Sequence, residues 1–320
     1  VTGFIALAVY RPRPELLRAQ VQSLKGQTLT DWVCHIGIDG IDPTAAAMCR
    51  SLVRGDARFS VTEYPERRGF YRNFERILGQ APSKASWVAL CDQDDRWRPE
   101  KLETLVPELR HAALVQGSAL VRHEDGRCTP LQRRTPGSLG ELVIENTVTG
   151  SFAVFRRDVL LSALPFPPDG EVAYHDHWLA MVAMAVGGVA VDSRVLQEYV
   201  QHDANVIGEN RQGGVAVRLR RLLLASGAPS PRAAVRHLAV ERWGWRARAA
   251  RELLARSEHF PAAVSRDLAL FARGRFTFRL ARIAVSAAVR GHAPWARVTA
   301  LLIGSACAYL FSEDRTHGSK

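Results

Sequence analysis

The strongest constraint in this 320-residue chain is a strand–helix alternation running through its first hundred residues. "GFIALAVY" is an apolar run, and "RPELLRAQVQSLKGQ" follows it with Leu16, Leu17, Ala19, Val21 and Leu24 at helical spacing. "DWVCHIGIDG", "RFSVTEYP" and "SWVALCD" repeat the strand signal, while "PTAAAMCRSLVRG" and "FYRNFERILGQ" repeat the helical one. Such alternation predicts an α/β domain with a mainly parallel sheet flanked by helices. In open sheets of this class, ligands bind at the carboxyl ends of the strands. Asp39 and the aspartates at 92–95 fall at two such ends.

Beyond residue 113 the pattern loosens. "AALVQGSALVRHEDG" reads as a strand with a turn, "SFAVFRRDVLLSAL" as strand then helix, and "DHWLAMVAMAVGG" as an apolar helix closed by glycine. After 214 nearly everything reads as helix rich in Arg and Ala. Charge divides at the same place. Residues 1–210 hold 23 Lys/Arg and 26 Asp/Glu, whereas 211–320 hold 20 and 6. We therefore expect an α/β domain over 1–212 and a basic helical region over 213–320. Five widely spaced cysteines without a C-x-x-C pair argue against a zinc site or disulfide framework and fit a reducing, cytoplasmic setting. The opening run reads as a strand rather than a signal peptide. The apolar run 298–311 is too short to span a bilayer.

"ALCDQDDRW" crowds Asp92, Asp94 and Asp95 onto the end of a predicted strand. A D-x-D there suits a hard cation such as Mg2+ or Mn2+, whose charge would offset the repulsion between carboxylates. The plainer alternative is a helix start: acids favour helix N-termini, "RPEKLETL" follows, and Asp95 suits a capping role. Further on, "AYHDHWLAM" sets Asp176 between two histidines before a helix, and "EYVQHDANVIGE" places His202 and Asn205 in a polar loop.

The order of these segments resembles the family 2 glycosyltransferases of the GT-A fold, and more narrowly their bacterial rhamnosyltransferase-like members. The resemblance covers roughly residues 3–210, through "ALAVYRPRPELLRAQVQSLKGQT", "DWVCHIGIDGIDPT", "GFYRNFERIL", "LCDQDDRWRPEKL", "VTGSFAVFRRDVL", "YHDHWLAMVAMAVGG" and "YVQHDANVIGE". It implies inverting transfer of a hexosyl or deoxyhexosyl group from a nucleotide-sugar donor to a saccharide or lipid-linked acceptor, as in surface polysaccharide synthesis. It also implies roles. Tyr10 would flank the nucleotide, Asp39 would bond the base, and Arg72 would approach base or phosphate. Asp92 would touch the ribose or a metal-bound water, Asp94 would ligate the metal, and His202 would complete that site. Asp176 would be the general base, with Gly150, Ser151 and Trp178 on the acceptor side. Three positions depart from the pattern. Ile38 and Ile41 flank Asp39-Gly40 where relatives carry an acid and a Ser, Arg11 follows Tyr10 in place of Asn, and His175 precedes Asp176 in place of an acid.

The basic region carries two possible stripes. Phe276, Leu280, Ile283 and Ala287 recur at helical spacing beside Arg275, Arg279 and Arg282, and "ERWGWRARAARELLAR" mixes Trp243 and Trp245 with five arginines. These suit either a helical subdomain packing its apolar side or a peripheral contact with an anionic membrane. A nucleotidyltransferase would want a Gly-rich phosphate loop after the first strand, and "VYRPRPE" has none. A nucleic-acid-binding surface would leave the ordered acidic sites without a purpose.

Overall fold

The computed structural model describes residues 3–123, 125–133, 135–168, 173–200, 230–256 and 260–311. They fall into two compact units. One comprises Val1–Thr135, Val148–Phe166 and Tyr174–Gly208, and the other Pro136–Thr147, Pro167–Ala173 and Glu209–Lys320.

In the first unit, β1 (Gly3–Val9), β2 (Trp32–Ile38), β3 (Phe59–Glu63) and β4 (Trp87–Cys91) alternate with α1 (Pro14–Lys25), α2 (Pro43–Leu52) and α3 (Gly69–Leu78). The four strands lie in the order β3-β2-β1-β4 and all pair in parallel. Gly3 to Val9 match Trp32 to Ile38 residue for residue, so Tyr10 and Asp39 leave the sheet side by side. Leu7 pairs Cys91, which brings Asp92 to the same edge. Burial explains the apolar runs: every residue of β4 is buried, as a parallel strand covered on both faces should be.

The sheet continues through β8 (Ala153–Arg156), β6 (Leu114–Arg122), β9 (Val189–Val200) and β5 (Arg96–Trp97), with β7 (Cys128–Leu131) on β6. β8 runs antiparallel to both β4 and β6, and β9 returns parallel to β6. α4 (Lys101–Leu105) follows β5, and α6 (Arg157–Ala163) and α7 (His175–Val186) complete the unit. Ile5, Leu7, Leu17, Val21, Ile36 and Leu105 share its main core.

In the second unit, α5 (Leu139–Ile144) joins helices Gly244–Ala255, Ala262–Ala272, Phe278–Val289 and Trp295–Cys307. Trp243 and Trp245 are buried here, and the Trp243 indole donates to the Gly274 carbonyl at 2.7 Å. These two tryptophans are core residues, as the packing alternative expects. Arg246 is likewise buried, donating to the Val143 and Ile144 carbonyls that end α5. It satisfies helix-terminal acceptors that would otherwise stay unpaired. The Glu141 carboxylate, also buried, meets His292 Nδ1 at 2.6 Å. Of the expected apolar stripe, Leu280 and Ala287 are buried while Phe276 is exposed. Among the described residues, no helix is long and apolar enough to cross a membrane.

Candidate active site

Three strand ends build the site. After β1 the chain turns at Arg11, whose φ of 41° lies in the left-handed region. Asn tolerates that conformation more readily than Arg, so an Arg here carries a conformational cost. The Tyr10 ring meets two cations: the Arg67 guanidinium at 4.5 Å and the Arg11 guanidinium at 5.3 Å from its centroid. Its backbone exchanges two hydrogen bonds with the Gln93 side chain, N–H to Oε1 at 2.9 Å and Nε2 to O at 3.0 Å. Gln93 thus ties the acidic loop to the end of β1.

Tyr10, Arg11, Asp39, Gly40, Asp42 and Arg67 line a cavity of about 270 Å³. Gly40, with φ of 96°, makes the turn that lets the chain leave β2 beside it. Asp39 is buried, and its carboxylate accepts from the Arg68 and Gly69 backbone N–H groups at 2.8 Å each and from Arg76 Nη2 at 2.7 Å. Three donors on a group with about four lone-pair sites anchor α3 and leave roughly one site for a ligand.

The second cluster is carboxylate-rich. Burial and then the neighbouring Asp94 raise Asp92 to about 7, and Asp176 pushes it in the same direction. Asp92, Asp94 and Asp176 therefore share one electrostatic patch. Burial raises Asp176 itself to about 6, against opposing hydrogen bonds from the His177 and Gly150 backbone N–H groups and the charge of Arg133. The His177 contact measures 2.7 Å. α7 begins at His175, with Tyr174 at the cap position and Asp176 in the first turn. Gly150 lies directly against Asp176: a Cβ built on it would fall 3.2 Å from Asp176 Cβ and 2.8 Å from Leu90 Cδ1. His175 stacks on Phe74 at 4.1 Å, and burial drives it down to about 3, so it is a neutral ring beside the patch.

Asp95 does something other than cap a helix. It is fully buried, and its Oδ2 accepts from Ser151 Oγ and Gln197 Nε2 at 2.9 Å each. Lys101, fully buried as well, donates to the Ser151 carbonyl and to Gln197 Oε1, with Nζ 3.7 Å from the Trp97 ring. Burial lowers Lys101 to about 7 and raises Asp95 well above the carboxylate range. The acidic loop thus rests on a buried amine.

Of the acceptor-side candidates, Ser151 turns its hydroxyl into this buried network, and Trp178 is fully buried with its indole N–H donating to the Ala163 carbonyl at 3.0 Å. Arg72 donates to Glu75 at 2.6 Å and to the Phe166 carbonyl at 3.3 Å, and it does not line the cavity beside Tyr10. His202 lies outside the described residues.

Asp92 and Asp94 fit a hard dication. They are oxygen donors whose charge is crowded, and Asp95 Oδ1 beside them is buried without a partner. A magnesium-type site needs only one or two protein carboxylates when substrate phosphates complete it. Among the described residues, no group of three or more His, Cys, Asp or Glu is arranged to hold a metal by itself. Sequence reasoning missed Gln93, Lys101 and Arg133. No local pattern marks them, because their partners lie far along the chain.

No curated protein matches the chain in sequence. Solved structures do resemble it. TarS 1-349 of S. aureus in complex with UDP-GlcNAc aligns with a TM-score of 0.57 at 12% identity, covering 95% of this chain and 90% of that one. TarS 1-349 alone aligns with a TM-score of 0.52 at 12% identity, over 92% and 93%. At such identities the likeness establishes the fold, which is of the GT-A type. The profile of the family described as "Glycosyl transferase family 2" matches residues 5–162, a span that holds the Tyr10–Asp39 cavity and the Asp92–Asp95 loop, and this domain of the chain belongs to that family of glycosyltransferases.

Proposed function

We propose that the protein is an inverting, divalent-cation-dependent transferase that moves a hexosyl or deoxyhexosyl group from a nucleotide-sugar donor to a saccharide or lipid-linked acceptor, in bacterial surface polysaccharide synthesis. One observation carries the reading: Gly150 packs between Leu90, next to the end of β4, and Asp176, which brings the first turn of α7 up to the acidic loop that follows β4, beside the strand ends that hold the Tyr10–Asp39 cavity. The UDP-GlcNAc bound by the TarS neighbour supports a nucleotide-sugar donor.

In this scheme Tyr10 and the remaining lone pair of Asp39 receive the nucleoside. Asp92 and Asp94 would hold Mg2+ or Mn2+, with His202 as a third ligand. A dication bound there screens the donor diphosphate and stabilises the charge of the departing nucleotide. Asp176 takes the proton of the acceptor hydroxyl while that oxygen attacks the anomeric carbon. The bond to the diphosphate breaks on the opposite face, and its electron pair leaves with the nucleotide. A carboxylate raised to about 6 suits this task, because it is ionised at neutral pH yet basic enough to hold the proton. Gly150 clears space beside Asp176.

A panel of nucleotide sugars, screened for thermal stabilisation with and without Mn2+, tests the proposal. A ligand bound at 100 times its Kd adds about 2.7 kcal/mol to folded-state stability, so the true donor should stand apart. Stabilisation by no nucleotide or nucleotide sugar would remove the donor-site reading.

A further inference from the structure

The helix Phe278–Val289 shows two opposed faces. Leu280, Ala284, Ala287 and Ala288 are buried, while Phe278, Arg282, Val285 and Val289 are exposed. Those four are spaced by four, three and four residues, so they share one stripe opposite the core. Phe278 is 89% exposed and Val289 73%, values that packing within the unit does not explain. Phe276 extends the stripe, meeting Phe278 edge-on at 5.9 Å between ring centroids. Seven of the ten large hydrophobic residues exposed among the described residues lie between 276 and 310.

Charge says what covers this face. Residues 260–311 contain seven arginines and a single acid, Asp267. Arg273, Arg275, Arg279, Arg282 and Arg290 are all exposed. Arg279 meets Asp267 at 3.7 Å and Arg290 meets Glu141 at 3.5 Å. A protein groove would supply acids to match these arginines only by special design. An anionic bilayer supplies both halves at once, phosphates for guanidinium groups and acyl chains for Phe and Val.

We propose that the Phe278–Val289 face, with Phe276 and its flanking arginines, is a docking surface for an anionic lipid leaflet. The inference deepens the reading of a transferase acting on a lipid-linked acceptor and rests on it only for its purpose.

The test is co-sedimentation of the full chain with phosphatidylglycerol and phosphatidylcholine vesicles at low and high salt. Three proteins are compared: wild type, Phe278→Ser and the double variant Arg279→Gln/Arg282→Gln. We expect capture by phosphatidylglycerol, weak capture by phosphatidylcholine and release at high salt. Phe278→Ser should bind about tenfold more weakly. The double variant should bind about 30-fold more weakly, at roughly fivefold per arginine. All three substitutions are at exposed positions, so unchanged far-UV circular dichroism and Tm verify the fold. Equal binding by all three proteins would overturn the assignment of this face, as would equal capture by both lipids. A dimer that Phe278→Ser dissolves would overturn it in favour of self-association. Capture by random duplex DNA that only the arginine variant loses would assign the face to nucleic acid instead. Donor turnover without vesicles, read on the same samples, reports the transferase assignment separately from lipid binding.

Discussion

Gly150 and Asp176 are packed so closely that a single methyl group between them would displace the carboxylate. The Gly150 N–H bonds that carboxylate, and a Cβ on Gly150 would stand 3.2 Å from Asp176 Cβ. Gly150→Ala should therefore shift Asp176 by a few tenths of an ångström. Misplacement by 1 Å can cost on the order of 10²-fold, so a loss of about tenfold in kcat is expected. Leu90 Cδ1, at 2.8 Å, is the end of a flexible side chain, and Tm should fall by only a few degrees. Steady-state kinetics with a melting curve checks both outcomes.

The ionisation of Asp176 links activity and stability with opposite signs. Its folded-state value of about 6 lies above the ordinary 3.8, so the folded protein binds this proton more tightly than the unfolded chain. That contribution to stability is complete below about 3.8 and is lost as pH rises through about 6, on the order of 2–3 kcal/mol at neutral pH. In the proposed mechanism the base acts in its ionised form, so turnover should rise with pH through about 6. Asp176→Asn should accordingly melt at a higher temperature than wild type at pH 7.5 and gain little at pH 4. A pH series of denaturant midpoints reads the difference.

The carboxylate loop and its buried amine make a paired prediction. Lys101→Met leaves the carbonyl of Ser151 and the Gln197 amide oxygen without their donor. Leaving two buried acceptors unsatisfied in this way costs about 1–3 kcal/mol each. Asp95→Asn should cost far less, about 1 kcal/mol, because burial already favours the neutral acid there. Urea unfolding of both variants tests the contrast. Equal losses would mean that Asp95 is ionised in the folded protein.

Asp94→Asn removes a charge that a dication needs while keeping the side chain's size. Activity stimulated by Mg2+ or Mn2+ should fall at least 100-fold, with the circular dichroism spectrum unchanged. Wild-type activity that persists in excess chelator would contradict the dependence on a cation.

The alternating half of the fold was legible because β1, β2 and β4 are apolar runs that are largely buried and each crossover helix shows a 3.6-residue period. β1 to β4 and their helices follow the expected order, with Asp39 and Asp92 at strand ends. The antiparallel insertion of β8 between β4 and β6 was not legible, since strand order depends on long-range pairing that no local pattern records. Within the site, charge crowding identified Asp92 and Asp94, but not the fate of Asp95. Its partners Ser151 and Gln197 lie 56 and 102 residues away. Trp178 was ambiguous for a related reason. A large aromatic next to a candidate base reads equally as a platform or a core anchor, and only the Ala163 carbonyl decides between them. Trp243 and Trp245 repeat that lesson, and exposed Phe278 reverses it.

The central claim is that Asp176 acts on the acceptor proton while Asp92, Asp94 and the Tyr10–Asp39 cavity hold the donor. Measuring donor Kd and kcat separately for Asp176→Asn tests it most directly. The account predicts a fall in kcat of roughly 10²–10⁴-fold with donor Kd within about threefold of wild type. Loss of donor binding with an unchanged rate from bound donor would contradict it and place Asp176 in the donor site.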